Sequence, residues 1–253
     1  MKKTVYYRSL FYVLGLLVLA LGLILNTKAG LGVSPIISVA YSISEIFHYN
    51  FGNTTLALYS LFVLIQMVLH LIRTRNADAA SRNILAHAEK IDRRLLLFMD
   101  FLQIPLSLIF TRFMNLFSSA IPEFPEDFGR TEQGVALRIL VLLLAVILTG
   151  IGAAMSLNMR LIPNPGDGIV QALSDCVGKS VGLTKNCFDL FNILLTTTLS
   201  LTFAGHLVGI GIGTILAMIG VGRTIAVFNR LFQEKMARAA GVERQKRQEG
   251  GGN

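Results

Sequence analysis

The feature that most constrains this chain is a repeat of itself. Residues 162–185, IPNPGDGIVQALSDCVGKSVGLTK, form a Pro/Gly turn, a short acid-bearing helix and a second turn, set between two long apolar runs. A shift of 130 residues lays residues 32–55, GVSPIISVAYSISEIFHYNFGNTT, over them. Pro35 then falls on Pro165, Ser44 on Ser174, Glu45 on Asp175, Gly52 on Gly182 and Thr54 on Thr184; upstream, Gly22 falls on Gly152. A duplicated unit with one broken helix in each copy is the pattern of a transporter or channel.

The apolar runs fix the solvent. Several are long enough to cross a bilayer, and 53% of the 253 residues are hydrophobic, so the chain reads as an integral membrane protein. The formal net charge of +8 does not point to nucleic acid. The positive residues gather in residues 73–94 and 230–247, beside apolar runs, where they set membrane topology. Cys176 and Cys187 fit no metal spacing and read as small packing residues. Four scattered histidines form no zinc or catalytic pattern. Nucleophile elbow, phosphate loop and paired catalytic carboxylates are missing, so the expectation is no enzyme, no cofactor and no metal. Gly209, Gly211 and Gly213 sit between a loop and a helix, where they favour close packing over nucleotide binding.

Residues 1–9 are a basic head. The run at 10–30 reads as a first span rather than a signal peptide, because no small-residue cleavage site closes it. Pro35 suits a first helical position, and a helix of about fourteen residues follows, about 21 Å long and too short for a ~30 Å core. The reading is a re-entrant helix; a span completed by its flanks is the alternative. Residues 10–121 make the first membrane repeat, with a polar loop at 73–94. An acidic loop follows at 122–134, then a second repeat at 135–233 and a charged tail at 234–253. Placing head, basic loop and tail in the cytoplasm and the acidic loop outside satisfies the positive-inside rule only if the short helices re-enter. The expected fold is therefore all-α: six transmembrane helices plus two short broken helices, in two inverted-topology repeats.

Charges within the membrane mark the candidate site. Aligning the third spans with a shift of 111 places Arg112 on Arg223 and Gln103 on Thr214. A guanidinium suits a carboxylate or other anion; a salt bridge to Glu45, Asp175 or Asp189, or snorkelling of Arg223 to the cytoplasmic face, is the structural alternative. The turn Asn164, Pro165, Gly166, Asp167, Gly168 frees backbone N–H groups for an anion, although Asp167 also suits the helix dipole. Gly32, Ser34 and Pro35 are its counterpart. Glu45 and Asp175 are the symmetric acids, while Lys185 and Asp189 pair at i,i+4.

Five segments also carry a resemblance: LGVSPIISVAYSIS, FLQIPLSLIF, PNPGDGIVQALSD, TKNCFDL and GIGTILAMIGVGR. Their order and spacing over residues 8–232 resemble the YczE/YitT-like group of bacterial multi-spanning membrane proteins. The resemblance implies a plasma-membrane protein of suspected transport function. It emphasises Gly32, Ser34, Pro35, Gln103, Pro105, Pro165, Gly166, Asp167, Gly168, Lys185, Asp189, Gly213 and Thr214. Several relatives place an acid where this chain has Ile37, and others place Glu at Asp167, so an acid here stands in the second repeat alone.

The expected function is a bacterial inner-membrane secondary transporter of a small polar or anionic organic solute, with proton coupling as an option. Its site lies between the broken helices and both termini are cytoplasmic. A non-transporting scaffold or a passive channel are the alternatives. Expected partners are a small solute and the bilayer, with a homodimer allowed and no nucleic acid.

Overall fold

The computed structural model describes residues 2–81, 93–124 and 132–242. Eight helices account for them: α1 (Lys2–Lys28), α2 (Pro35–Phe47), α3 (Phe51–Ser81), α4 (Arg93–Ala120), α5 (Glu132–Asn158), α6 (Pro165–Val177), α7 (Val181–Phe203) and α8 (Ile212–Ala240). Among the described residues there is no strand. The polar loop expected at 73–94 begins instead as helix, since α3 runs on to Ser81. Its remainder at 82–92, residues 125–131 of the acidic loop and 243–253 of the tail lie outside the described residues.

Five helices, α1, α3, α4, α5 and α8, are long and apolar enough to cross a membrane; the chain is a membrane protein. The sequence reading counts a sixth in α7. At 23 residues, or about 35 Å, α7 has the length, but Lys185, Asn186, Asp189, Asn192 and Thr196 to Thr198 dilute it and it misses the apolarity of the other five. The surface is inverted relative to a soluble domain. Leu61, Leu64, Phe98, Ile109, Leu140 and Leu194 face outward, while Ser38, Ser42, Gln66, Gln103, Thr196 and Ser200 are buried between helices. Polar side chains pair inside and leave the apolar ones for lipid.

Helix boundaries recur at the 130-residue offset. Lys28 and Asn158 end α1 and α5, Pro35 and Pro165 open α2 and α6, and Phe51 and Val181 open α3 and α7. The turns repeat as well: Gly30 and Arg160 both have positive φ, and so do the helix-ending residues His48 and Gly178. A left-handed residue is what stops a helix at its C-terminus, so both short helices are ended by the same device.

α1 and α5 form the central pair, and they are antiparallel. Arg8, near the start of α1, donates to the carbonyls of Met159 and Arg160 (both 2.8 Å), just past the end of α5. Arg138, its counterpart 130 residues on, donates to Ala29 (2.9 Å) and Gly30 (2.8 Å), just past the end of α1. Each guanidinium thus satisfies orphan carbonyls at a helix end where the dipole favours a cation. The two helices touch through glycines. A Cβ on Gly22 would lie 2.5 Å from the Thr149 nitrogen, and one on Gly152 would strike the backbone of Leu19, so any side chain there forces the pair apart.

The short helices are exchanged between the halves. α2 packs against α7 as well as α3, and α6 packs against α3 as well as α7. Ser38 and Thr196 share a hydrogen bond of 2.7 Å, and Ser42 and Ser200 one of 2.9 Å. An apolar core from Leu19, Leu23, Ile24, Ile37, Tyr59, Phe62, Phe110, Met114, Ile169 and Val170 holds both halves together.

Candidate functional site

The first turns of α2 and α6 meet at the centre. Pro35 and Pro165 open the two helices, each tolerated there because the missing N–H would have no partner inside the helix. Ile36 and Gly166, equivalent by the repeat, lie against each other; a Cβ on Gly166 would come within 2.9 Å of Ile36 Cγ1. Beside this contact lies a small, partly open cavity of about 50 Å³. Its wall includes four pairs related by the offset: Leu19 with Thr149, Leu23 with Ala153, Ser34 with Asn164, and Ile36 with Gly166. Tyr59, Asp167, Lys185, Val221 and Ile225 complete it.

The two capping positions differ. Asn164 Oδ1 accepts from the Gly166 N–H at 3.1 Å, closing the end of α6. The Ser34 hydroxyl makes no such bond at α2. Both side chains are buried. The positive ends of two helix dipoles therefore converge on one space, with a hydroxyl that caps nothing at one of them.

The charges come from the second repeat alone. Lys185 donates to Asp189 at 3.2 Å, and Asp189 is 1% exposed while the Lys185 side chain keeps 30% of its surface. Asp167 lines the cavity beside Lys185, within the electrostatic reach of both members of the pair. The equivalent positions in the first repeat are Ile37, Thr55 and Tyr59. The cavity thus offers one ammonium, one carboxylate beside it and a second carboxylate behind, a set suited to a small solute carrying polar or charged groups.

Of the residues singled out in the sequence, Ser34, Asn164, Gly166, Asp167 and Lys185 line this cavity, Asp189 pairs with Lys185, and Pro35 and Pro165 shape its edge. Gly32, with φ +110, lies against Gly211 and Thr214. Thr214 Oγ1 accepts from the Gly211 N–H at 3.2 Å, so these two build the start of α8. The glycine run packs as expected, with the Gly213 N–H on the Leu31 carbonyl at 2.7 Å.

The arginines are a correction. Arg112 and Arg223 are exposed and absent from the cavity wall. Arg112 donates to Asn53 Oδ1 at 2.9 Å and borders a shallow apolar groove with Leu108, Ile109, Phe113 and Leu116. The reason is helical phase. Nine residues separate Gln103 from Arg112, and nine separate Thr214 from Arg223; that is about two and a half turns, so each arginine lies opposite its buried partner. Neither meets the acids offered as salt-bridge alternatives. Asp175 instead pairs with Arg73 at 2.7 Å, Glu45 sits on an exposed face, and Lys28 pairs with Glu123. Cys176 and Cys187 are exposed rather than packed.

A buried polar cluster lies between α3 and α4. His70 Nδ1 lies 2.7 Å from Asp100 Oδ2, Gln66 Nε2 donates to Asp100 Oδ1, and Gln103 Nε2 reaches the same oxygen at 3.4 Å. All four side chains are buried between α3 and α4. Gln103, a substrate-contact candidate from the sequence, is directed at Asp100 and Gly168, outside the cavity wall.

A protein-family model described as a family of unknown function (DUF6198) matches residues 6–230, and the chain belongs to that family. Among curated proteins and solved structures, none matches the chain.

Proposed function

We propose that the chain is a bacterial inner-membrane secondary transporter of a small polar or anionic organic solute, its termini cytoplasmic and its site the central cavity. The observation that carries this reading is the convergence of two helix N-termini, Ser34 and Asn164, on a cavity that also holds Asp167 and Lys185. Each short helix has thirteen residues, about 20 Å, too little for a ~30 Å bilayer core. That length supports half-membrane helices entering from opposite faces, with α7 as a sixth span. The antiparallel α1 and α5, each held by the other's equivalent arginine, support inverted repeats with a pseudo-two-fold axis in the membrane plane. The segments that resemble the YczE/YitT-like group agree with this reading.

A non-transporting accessory protein is the competing reading, favoured by one observation: Arg112 and Arg223 face outward on apolar helix surfaces, where a membrane partner would meet them. A thermal-shift screen of the purified full-length protein against small organic acids, amino acids and amines separates the two. A ligand that binds only the folded protein raises its apparent stability by mass action. The transporter reading expects a saturable shift that disappears in Asp167→Asn and Ser34→Ala and survives in Arg112→Leu. A flat screen with well-folded protein sinks it.

A further inference from the structure

The buried cluster between α3 and α4 has no place in the cavity, yet it is built toward it. His70 and Asp100 form a buried ion-pairing couple, with exposures of 7% and 3%. Ionisable groups buried in a membrane span are costly and mark proton or ion pathways. An imidazole is the side-chain group that ordinarily exchanges a proton between about pH 5 and pH 8. Gln66 and Gln103 both direct their amide nitrogens at Asp100. That leaves the Oε1 atoms of both glutamines buried without a hydrogen-bond partner. Both oxygens lie against Gly168, where a Cβ would sit 3.0 Å from Gln103 Oε1 and would collide with Gln66 Oε1. Gly168 follows Asp167 in the first turn of α6, the turn that lines the cavity.

The other half of the molecule has nothing comparable. By the offsets of 130 and 111 residues, Thr196, Ser200, Gly211 and Thr214 stand where Gln66, His70, Asp100 and Gln103 stand. There, Ser38 in the place of Gly168 closes the contact with a hydroxyl bond to Thr196.

We propose that His70 and Asp100 form a proton-binding site, and that Gln66 and Gln103 transmit its charge to the first turn of α6. This inference deepens the transporter reading and rests on it. With a neutral imidazole and an ionised carboxylate the couple carries one negative charge. It takes one proton from water, becomes an imidazolium–carboxylate pair without net charge, and returns that proton to water on the reverse step. The glutamine amides, held by Asp100 through charge-assisted bonds in the first state, are held less strongly in the second, and the oxygens they press on Gly168 are released with them. Other charged and titratable groups along this seam are Arg73 on α3, Arg94 on α4 and Asp175 and Cys176 on α6. α2 brings Tyr41 and Glu45 beside the opposite end of α3, and α1 brings Tyr12, which donates to the Ile162 carbonyl at 2.7 Å.

The chain contains no tryptophan, so a single Leu173→Trp on α6 gives an unmixed fluorescence reporter. In full-length protein reconstituted in liposomes, its emission should change in a single transition as the pH is varied. His70→Gln or Asp100→Asn should abolish that titration while elution volume and helical circular dichroism stay unchanged. An identical titration in both variants, or none in the parent, overturns the proposal. A second measurement leaves the couple intact. His48→Gln/His87→Gln/His206→Gln makes His70 the sole histidine, so imidazole nitrogen chemical shifts report its proton directly. An imidazole that takes up no proton at any pH where the protein stays folded overturns the proposal; one that changes with the same midpoint as the tryptophan supports it. A protein that binds a solute but fails these tests loses the coupling alone. One that passes them with a flat ligand screen loses the transport reading.

Discussion

The two halves of this molecule share a backbone and divide the chemistry. Boundaries, turns and arginine caps repeat at one offset. The charges at the cavity do not: Asp167, Lys185 and Asp189 stand opposite Ile37, Thr55 and Tyr59. Conversely the buried His70–Asp100 couple stands opposite Ser200 and Gly211. α4 packs along α3 in the first half, whereas α8 packs on α5 in the second. What recurs at the offset is thus geometry, two helix N-termini at one cavity, and what does not recur is polarity. A charge at both Ile36 and Gly166, which lie against each other, would face its equivalent at short range, and like charges so placed repel.

The comparison breaks first at the α1–α5 crossing. Gly22→Val and Gly152→Val should each cost about 3 kcal/mol or more, as overpacking against backbone, read as lost thermal stability in detergent. Gly182→Ala and Gly222→Ala, where a Cβ meets open space, should change stability by less than about 1 kcal/mol. Unequal losses at Gly22 and Gly152 would show that the crossing is less symmetric than its contacts.

A change at Asp189 sharpens the asymmetry. Asp189→Leu should cost about 3 kcal/mol, the lower end for breaking a buried pair, since Lys185 retains partial exposure. Lys185→Met combined with Asp189→Leu should recover most of that loss. Failure to recover would mean that Lys185 is held by the cavity rather than by its partner.

The caps carry a smaller effect than the crossing or the buried pair. Arg8→Gln and Arg138→Gln should each cost about 2 kcal/mol, the worth of a charged group bonded at a helix terminus. Equal losses in chemical denaturation are expected, and a twofold difference would break the equivalence.

Much of the backbone was legible. Pro35 and Pro165 mark helix starts wherever they occur, and a left-handed stop at Gly178 needs only its glycine. Side-chain direction was less so. Depth in the membrane singles out Arg112 and Arg223, but helical phase, nine residues from buried Gln103 and Thr214, turns both outward. Arg8 and Arg138 obey the 130-residue offset, yet an arginine beside an apolar run reads first as a topology marker and gives no sign of a cap. The His70–Asp100 couple was beyond reach. Its members are thirty residues apart on two helices whose register depends on the connection between them, and no spacing rule crosses such a gap.

The exchange of short helices has a consequence for how the chain is made. Ser38 and Ser42 of α2 find their partners on α7, 158 residues later. At roughly 5–20 residues per second, a nascent first half waits on the order of 10 to 30 s with those hydroxyls turned toward a helix not yet synthesised. α6 has no such wait, since α3 precedes it. The first half is therefore the vulnerable intermediate, and a ribosome stalled before residue 181 leaves α2 with α3 but without its second neighbour.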